Sequence, residues 1–139
     1  AERDWGYAPE YMEAVWLMLQ QDEPLDMVLG TGEGHTVEEF VEQSFAYAGM
    51  DWHEYVEIDE RYVRPTEVES LRADATKAQK TLGWTPKIKF GDLLKIMVDA
   101  DLEASGVTPP GEGKAIVDER FGDWHRWEAN IMPWSEGRP

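Results

Sequence analysis

Cysteine is absent from the 139 residues, which excludes disulfides, thiolate nucleophiles and zinc–thiolate sites. Basic residues are scarce: 13 Lys and Arg face 29 Asp and Glu, a net charge of −16. Without a Lys/Arg stripe the chain has no means of displacing counterions from nucleic acid, and an acidic membrane surface would repel it. No apolar run is long enough to span a bilayer, and no stretch has the pattern of a signal peptide. Cysteine-free composition is compatible with a cytoplasmic location, which is the expectation here. The first residue is Ala1, not Met, and structured-looking sequence follows almost at once, so the chain reads as a piece of something longer.

Recognisable catalytic patterns are missing as well. His35, His53 and His125 stand far apart, and none has a second His or a carboxylate at a spacing such as H-E-x-x-H. Each is read as a surface or turn histidine. No serine lies in G-x-S-x-G. The acidic pairs Glu38-Glu39 and Asp99/Asp101 read as solvated helix faces.

What is present is an ordinary globular composition, 42% apolar, enough for one domain with a real core. A first helix is expected over residues 8–21, with Pro9 in its opening turn and Asp22-Glu23-Pro24 as its stop. Met12, Val15, Trp16, Leu17, Met18 and Leu19 cover nearly its whole circumference, which predicts burial between layers. Residues 26–31 read as a short buried strand. The glycine-rich link that follows, residues 30–35, fails the G-x-G-x-x-G spacing and reads as a plain strand-to-helix turn.

Thr36 with Glu39 forms a capping box for a second helix. Its apolar face is Val37, Phe40, Val41, Phe45 and Ala48, and Gly49 is its left-handed stop. Alternation over residues 52–59 predicts a strand with Val56 and Ile58 on one face. Asp74 is the expected cap of a short helix over 75–82 that Gly83 closes. A longer helix follows over 91–104, striped with Leu93, Leu94, Met97, Val98 and Leu102. Residues 106–113 form a Pro/Gly linker, then a short helix over 115–120. Trp124, Trp127 and Trp134 in the tail call for burial on the body or on a partner subunit.

The stretch from Arg61 to Val68 is the candidate site. Two arginines stand beside Pro65, and Glu67 follows Arg64 by three residues, a spacing that directs both side chains to one pocket if a helical turn starts there. Guanidinium matches phosphate oxygens two at a time, so an anion site and an ordinary surface ion pair are the two readings.

Several stretches bear a family likeness. Arg3-Asp4-Trp5-Gly6-Tyr7-Ala8, the run from Tyr11 to Gln21, Arg64-Pro65-Thr66-Glu67-Val68, Asp74-Ala75-Thr76-Lys77-Ala78 and Leu82-Gly83-Trp84-Thr85-Pro86-Lys87 together resemble GDP-mannose 4,6-dehydratases. The tail pieces Pro109-Pro110-Gly111-Glu112-Gly113 and Phe121-Gly122-Asp123-Trp124-His125-Arg126-Trp127 are similar to the tails of some members. The first and third blocks are specific to this family. The D-x-x-K-A and L-G-W-x-P pieces are shared across extended short-chain dehydrogenases/reductases.

The resemblance implies an α/β fold class, the C-terminal part of an NADP-binding Rossmann-type sugar-nucleotide enzyme, with helices packed on a few short strands. It implies a substrate-binding part over 1–105, with late elements of the Rossmann domain at 1–48, then linker and Trp-rich tail over 106–139. Family members hold the GDP portion with the Arg of the RDW motif and the Arg and Glu of the RPxE motif, which places substrate binding on Arg3, Arg64 and Glu67. Arg61 is left as a site residue or a solvated strand end.

In the family a Tyr-x-x-x-Lys pair does the acid/base work of oxidation at C4, loss of water across C5–C6 and return of the hydride to C6. Tyr7, Tyr11, Tyr47, Tyr55 and Tyr62 all lack a lysine four residues on. The chain is therefore expected to bind GDP-mannose or GDP, not to bind NADP by itself, and to be inactive alone. Its expected partners are the missing Rossmann half and further copies of itself, since the first helix and residues 27–29 would otherwise expose apolar surface. A related GDP-sugar reductase and a stand-alone binding or assembly module are the alternatives.

Overall fold

A computed structural model describes residues 1–62 and 66–122, without the side chain of Tyr62. The fold is helix-rich around a two-stranded antiparallel sheet, an α/β arrangement with helices packed on short strands. Strand β1 is Glu2–Arg3 and β2 is His35–Thr36, in the register Glu2↔Thr36 and Arg3↔His35. On its other side β1 meets the chain at Ser70: the Glu2 amide donates to Glu69 O at 2.7 Å, and the Leu71 amide donates to Glu2 O at 3.1 Å. The N-terminal residues thus run between two later segments.

Helix α1, Ala8–Leu19, opens with Pro9 in its first turn, where a missing N–H is harmless. Its buried face is small: Glu10 and Ala14, one turn apart. Ala14 meets Ala78 of helix α3, Thr76–Leu82, and both side chains are fully buried beside Trp84. The opposite face is uncovered, with Trp16 60% and Leu19 76% exposed and Met12 and Val15 beside them. The expected burial between layers is therefore not found among the described residues, since only one layer is present.

Residues 26–31 are not a strand. Met27 and Leu29 pack on the Ala14–Ala78–Trp84 cluster while Val28 between them faces outward, so the period of a strand is there. Among the described residues no neighbouring backbone pairs with it. Residues 52–59 likewise form no strand. Trp52–Glu54 and Glu60–Tyr62 are single-turn 3₁₀ helices, and Ile58 is 89% exposed.

Helix α2, Val37–Tyr47, has the expected capping box: the Glu39 amide donates to Thr36 Oγ1 at 3.0 Å, and the Thr36 amide donates to Glu39 Oε2 at 2.6 Å. Gly49 stops it at φ +76° and Gly83 stops α3 at φ +67°, both left-handed as a glycine allows. Asp74 accepts from the Thr76 amide at 3.0 Å at the start of α3.

Helix α4, Phe90–Ala104, and helix α5, Glu112–Phe121, enclose the main core of Ile88, Leu93, Ile96 and Val117. Helix α5 starts inside the stretch expected as linker. A methyl group at Gly113 would stand 2.2 Å from the Lys95 carbonyl oxygen, so this glycine lets the two helices approach closely. Asp99, expected in solvent, is fully buried beneath α5. Its carboxyl group accepts from the Gly111 amide (3.2 Å), the Lys114 amide (3.0 Å) and the Tyr47 hydroxyl (3.0 Å). It satisfies amides that the first turn of α5 leaves without helical partners. Among the described residues no helix is long and apolar enough to cross a membrane. The tail tryptophans Trp124, Trp127 and Trp134, with His125, lie outside the described residues.

Candidate functional site

The site grows from the end of β1, where Arg3 and the following Asp4 stand between the glycine-rich loop and the segment after residue 66. Arg3 is held by main-chain carbonyls: Nη1 donates to Glu2 O at 2.7 Å and to Val68 O at 2.8 Å. Its Nη2 pairs with the carboxylate of Glu67. Two of the three residues assigned to substrate binding are therefore in contact, although 64 positions separate them in sequence. The third, Arg64, lies outside the described residues. Arg61 stands apart, largely exposed and paired with Asp59 (Nε to Oδ1, 3.0 Å). That pairing holds the Asp59 carboxyl below the usual range.

Asp4 is the hub. Its Oδ1 accepts from the Thr31 amide (2.9 Å) and the Thr31 hydroxyl (2.6 Å), and its Oδ2 accepts from the amides of Gly32 (2.8 Å) and Ala73 (3.1 Å). Burial pushes this carboxyl upward, but the hydrogen bonds from Thr31, Ala73 and Gly32 together outweigh it and hold it below its ordinary value. Gly30 makes the junction possible, because a Cβ there would stand 2.1 Å from the Ala73 Cβ. Sequence reasoning passed over Asp4 except as part of a motif. Its partners are far along the chain, and nothing local announces them.

The same geometry occupies the amides of the glycine-rich loop. The amides of Thr31 and Gly32 already bond a carboxylate, so they do not fit a phosphate there. A cleft of about 200 Å³ beyond the loop, lined by Thr31, Ala73, Thr76, Gln79 and Trp84 among others, holds no Lys or Arg. Lys89, which reaches the loop at Thr31 O, is paired with Glu33 at 2.8 Å.

Of the histidines, His53 is exposed and bonded to Asp51 at 2.7 Å, as a surface histidine. His35 is more enclosed than expected, stacked on Phe90 with ring centroids 3.9 Å apart. Among the described residues no group of three His, Asp or Glu side chains is placed to hold a metal ion. What the described residues of the site offer is one fixed guanidinium with a carboxylate beside it.

Comparison with known proteins places this geometry. A family model described as GDP-mannose 4,6 dehydratase matches residues 1–97. GDP-mannose 4,6 dehydratase 2 of Arabidopsis thaliana is 59% identical over 123 residues, covering 88% of this chain and 32% of the relative. The GDP-mannose 4,6 dehydratase of Homo sapiens is 44% identical over 126 residues, covering 78% and 34%. Among solved structures, the Bordetella bronchiseptica enzyme WbmG in complex with NAD and UDP superposes with a TM-score of 0.61. It is 28% identical, and the match covers 78% of this chain and 34% of that one. The chain thus spans about a third of the length of the curated relatives it matches. With the Arg3 motif, the Glu67 motif and residues 1–97 all accounted for, the chain belongs to the GDP-mannose 4,6-dehydratase family.

Proposed function

We propose that this chain is the substrate-binding part of a GDP-mannose 4,6-dehydratase, holding the GDP portion of GDP-mannose with Arg3, Arg64 and Glu67. The reading rests on Arg3: a guanidinium fixed by two carbonyls and flanked by Glu67 is a binding group prepared in advance of its ligand. Formation of the 4-keto-6-deoxy sugar then belongs to the assembled enzyme, in which NADP supplies the hydride chemistry. No step is assigned to residues of this chain, whose glycine-rich loop does not suit the cofactor.

The uncovered face of α1 and residues 26–30 supports a division of labour in which a nucleotide-binding part, with further copies of the enzyme, covers it. On this reading residues 1–105 carry binding, 1–48 also contribute to the interface with that part, and 106–139 form an appendage whose helix α5 caps the core. The expected place of action is the cytoplasm. Calorimetric titration with GDP and with GDP-mannose tests the reading. Binding that weakens at least tenfold in Arg3→Ala or Arg64→Ala supports it, and variants that bind as well as the native chain refute it.

A further inference from the structure

Resting on that reading, we infer that helix α5 is a brace for the Arg3 site, and that Phe121 is its positioning residue, acting through Tyr7. Helix α5 lies outside residues 1–97, the part of the chain matched to the family. Its contacts nevertheless converge on the link between β1 and α1, which sets where the Arg3 guanidinium stands.

That link is short and irregular. Residues 4–7 join Arg3 to the first turn of α1 without regular structure. Gly6 has no side chain, so Trp5 and Tyr7 anchor the stretch after Asp4, and both pack on the core cluster to which α5 contributes Val117. Trp5 is also held from β2 and α2: its Nε1 donates to His35 O at 3.1 Å, and its ring stacks on Phe40 with centroids 5.0 Å apart. Tyr7 leans on α5, its ring centroid 5.3 Å from that of Phe121 and the planes 56° apart. The Tyr7 carbonyl accepts from the Glu10 amide at 3.1 Å, so a displaced Tyr7 shifts the start of α1 as well.

Helix α5 is itself fixed at both ends. Asp99 holds its first turn, and Arg120 in its last turn donates from Nη1 to Lys87 O at 2.7 Å. The Lys87 amide donates in turn to Glu10 Oε1 at 2.7 Å, inside the first turn of α1. Two routes therefore run from the end of α5 to the first turn of α1, one through Phe121 and Tyr7 and one through Arg120, Lys87 and Glu10. Arg3 transmits a displacement of the link, because Glu2 O and Val68 O tie its guanidinium to the main chain. A binding group works only within about 0.5 Å of its productive place, so slack at Phe121 is felt as lost affinity.

The test is calorimetric titration of the full chain with GDP, for the native protein, Phe121→Leu, Phe121→Tyr, Tyr7→Leu and the double variant of Tyr7→Leu with Phe121→Leu. Leucine keeps the position apolar, so the chain folds, and urea unfolding checks that it does. Phe121→Leu weakens GDP binding about fivefold, the scale of coupling through packed side chains. Phe121→Tyr keeps the ring and binds like the native chain. The double variant binds no more weakly than Tyr7→Leu alone, as two residues acting in series require. A purely structural Phe121 lowers the unfolding midpoint and leaves the affinity of the folded chain unchanged. That result, or losses that simply add in the double variant, overturns the inference. If Arg3→Gln has meanwhile lost GDP, the reading of the site survives that failure. A native chain that takes up no GDP, or an Arg3→Gln chain that binds it like the native one, overturns both.

Discussion

Helices α4 and α5 on the one hand, and helix α1 with residues 26–30 on the other, are both rich in apolar residues, yet they treat them oppositely. The α4–α5 pair closes on itself: Leu93, Ile96 and Val117 meet Ile88, Gly113 removes the space between the helices, and Asp99 satisfies the first amides of α5. Helix α1 packs with Ala14 and turns Met12, Trp16 and Leu19 to solvent, while residues 26–30 keep the alternation of a strand without a ladder. One region is finished by its own sequence. The other leaves an apolar face that the described residues do not cover, and the Arg3 site lies on β1, which leads into it.

The largest effect belongs to the finished region. Asp99→Ala leaves the partly buried Tyr47 hydroxyl and two amides without their acceptor and should lower stability by about 3 kcal/mol in urea unfolding. A loss under about 1 kcal/mol would mean that α5 is dispensable to the fold, and the comparison would break.

The site between the regions should respond less. Asp4→Asn removes a charged acceptor of four hydrogen bonds and should cost about 2 kcal/mol at neutral pH. The folded chain holds the Asp4 carboxyl below its ordinary value of 3.8. Its contribution is therefore fully present above that pH and is lost as pH falls through the folded value. Stability of the native chain should fall below about pH 4 more steeply than that of Asp4→Asn; parallel acid-unfolding curves would remove Asp4 from its role as hub.

The smallest effect is the most telling. Changing Trp16 and Leu19 together to Gln should alter the stability of the isolated chain by no more than about 0.5 kcal/mol, since neither contact is buried. The same pair should reduce any self-association seen in sedimentation. A stability loss of about 2 kcal/mol or more, the cost of a core truncation, would show that this face is covered within the chain.

The same contrast explains which features the sequence disclosed. The Thr36–Glu39 box, the Gly49 and Gly83 stops and the stripe of α4 are local devices, and local pattern revealed them. Residues 26–31 have strand periodicity because periodicity records which side chains face a core. A strand also needs a neighbour, and alternation does not show whether one exists. Asp99 and Asp4 were misjudged or overlooked for a related reason: an acidic side chain in acidic sequence reads as solvated until its distant donors are located. Arg3 and Glu67 were assigned to one site through family resemblance, since no spacing rule joins positions 64 apart.

Asp4 also has a consequence for how the chain acquires its shape. It reaches Thr31 across 27 positions and Ala73 across 69, so both contacts close large loops. Closure of such loops costs entropy before any bond rewards it, whereas the helices and their caps form from neighbours. The junction that holds the glycine-rich loop against residue 73 therefore assembles late, on helices already formed, and is among the first places to open. The junction is in this sense a product of distant segments meeting, unlike the capped helices, which close on neighbouring residues.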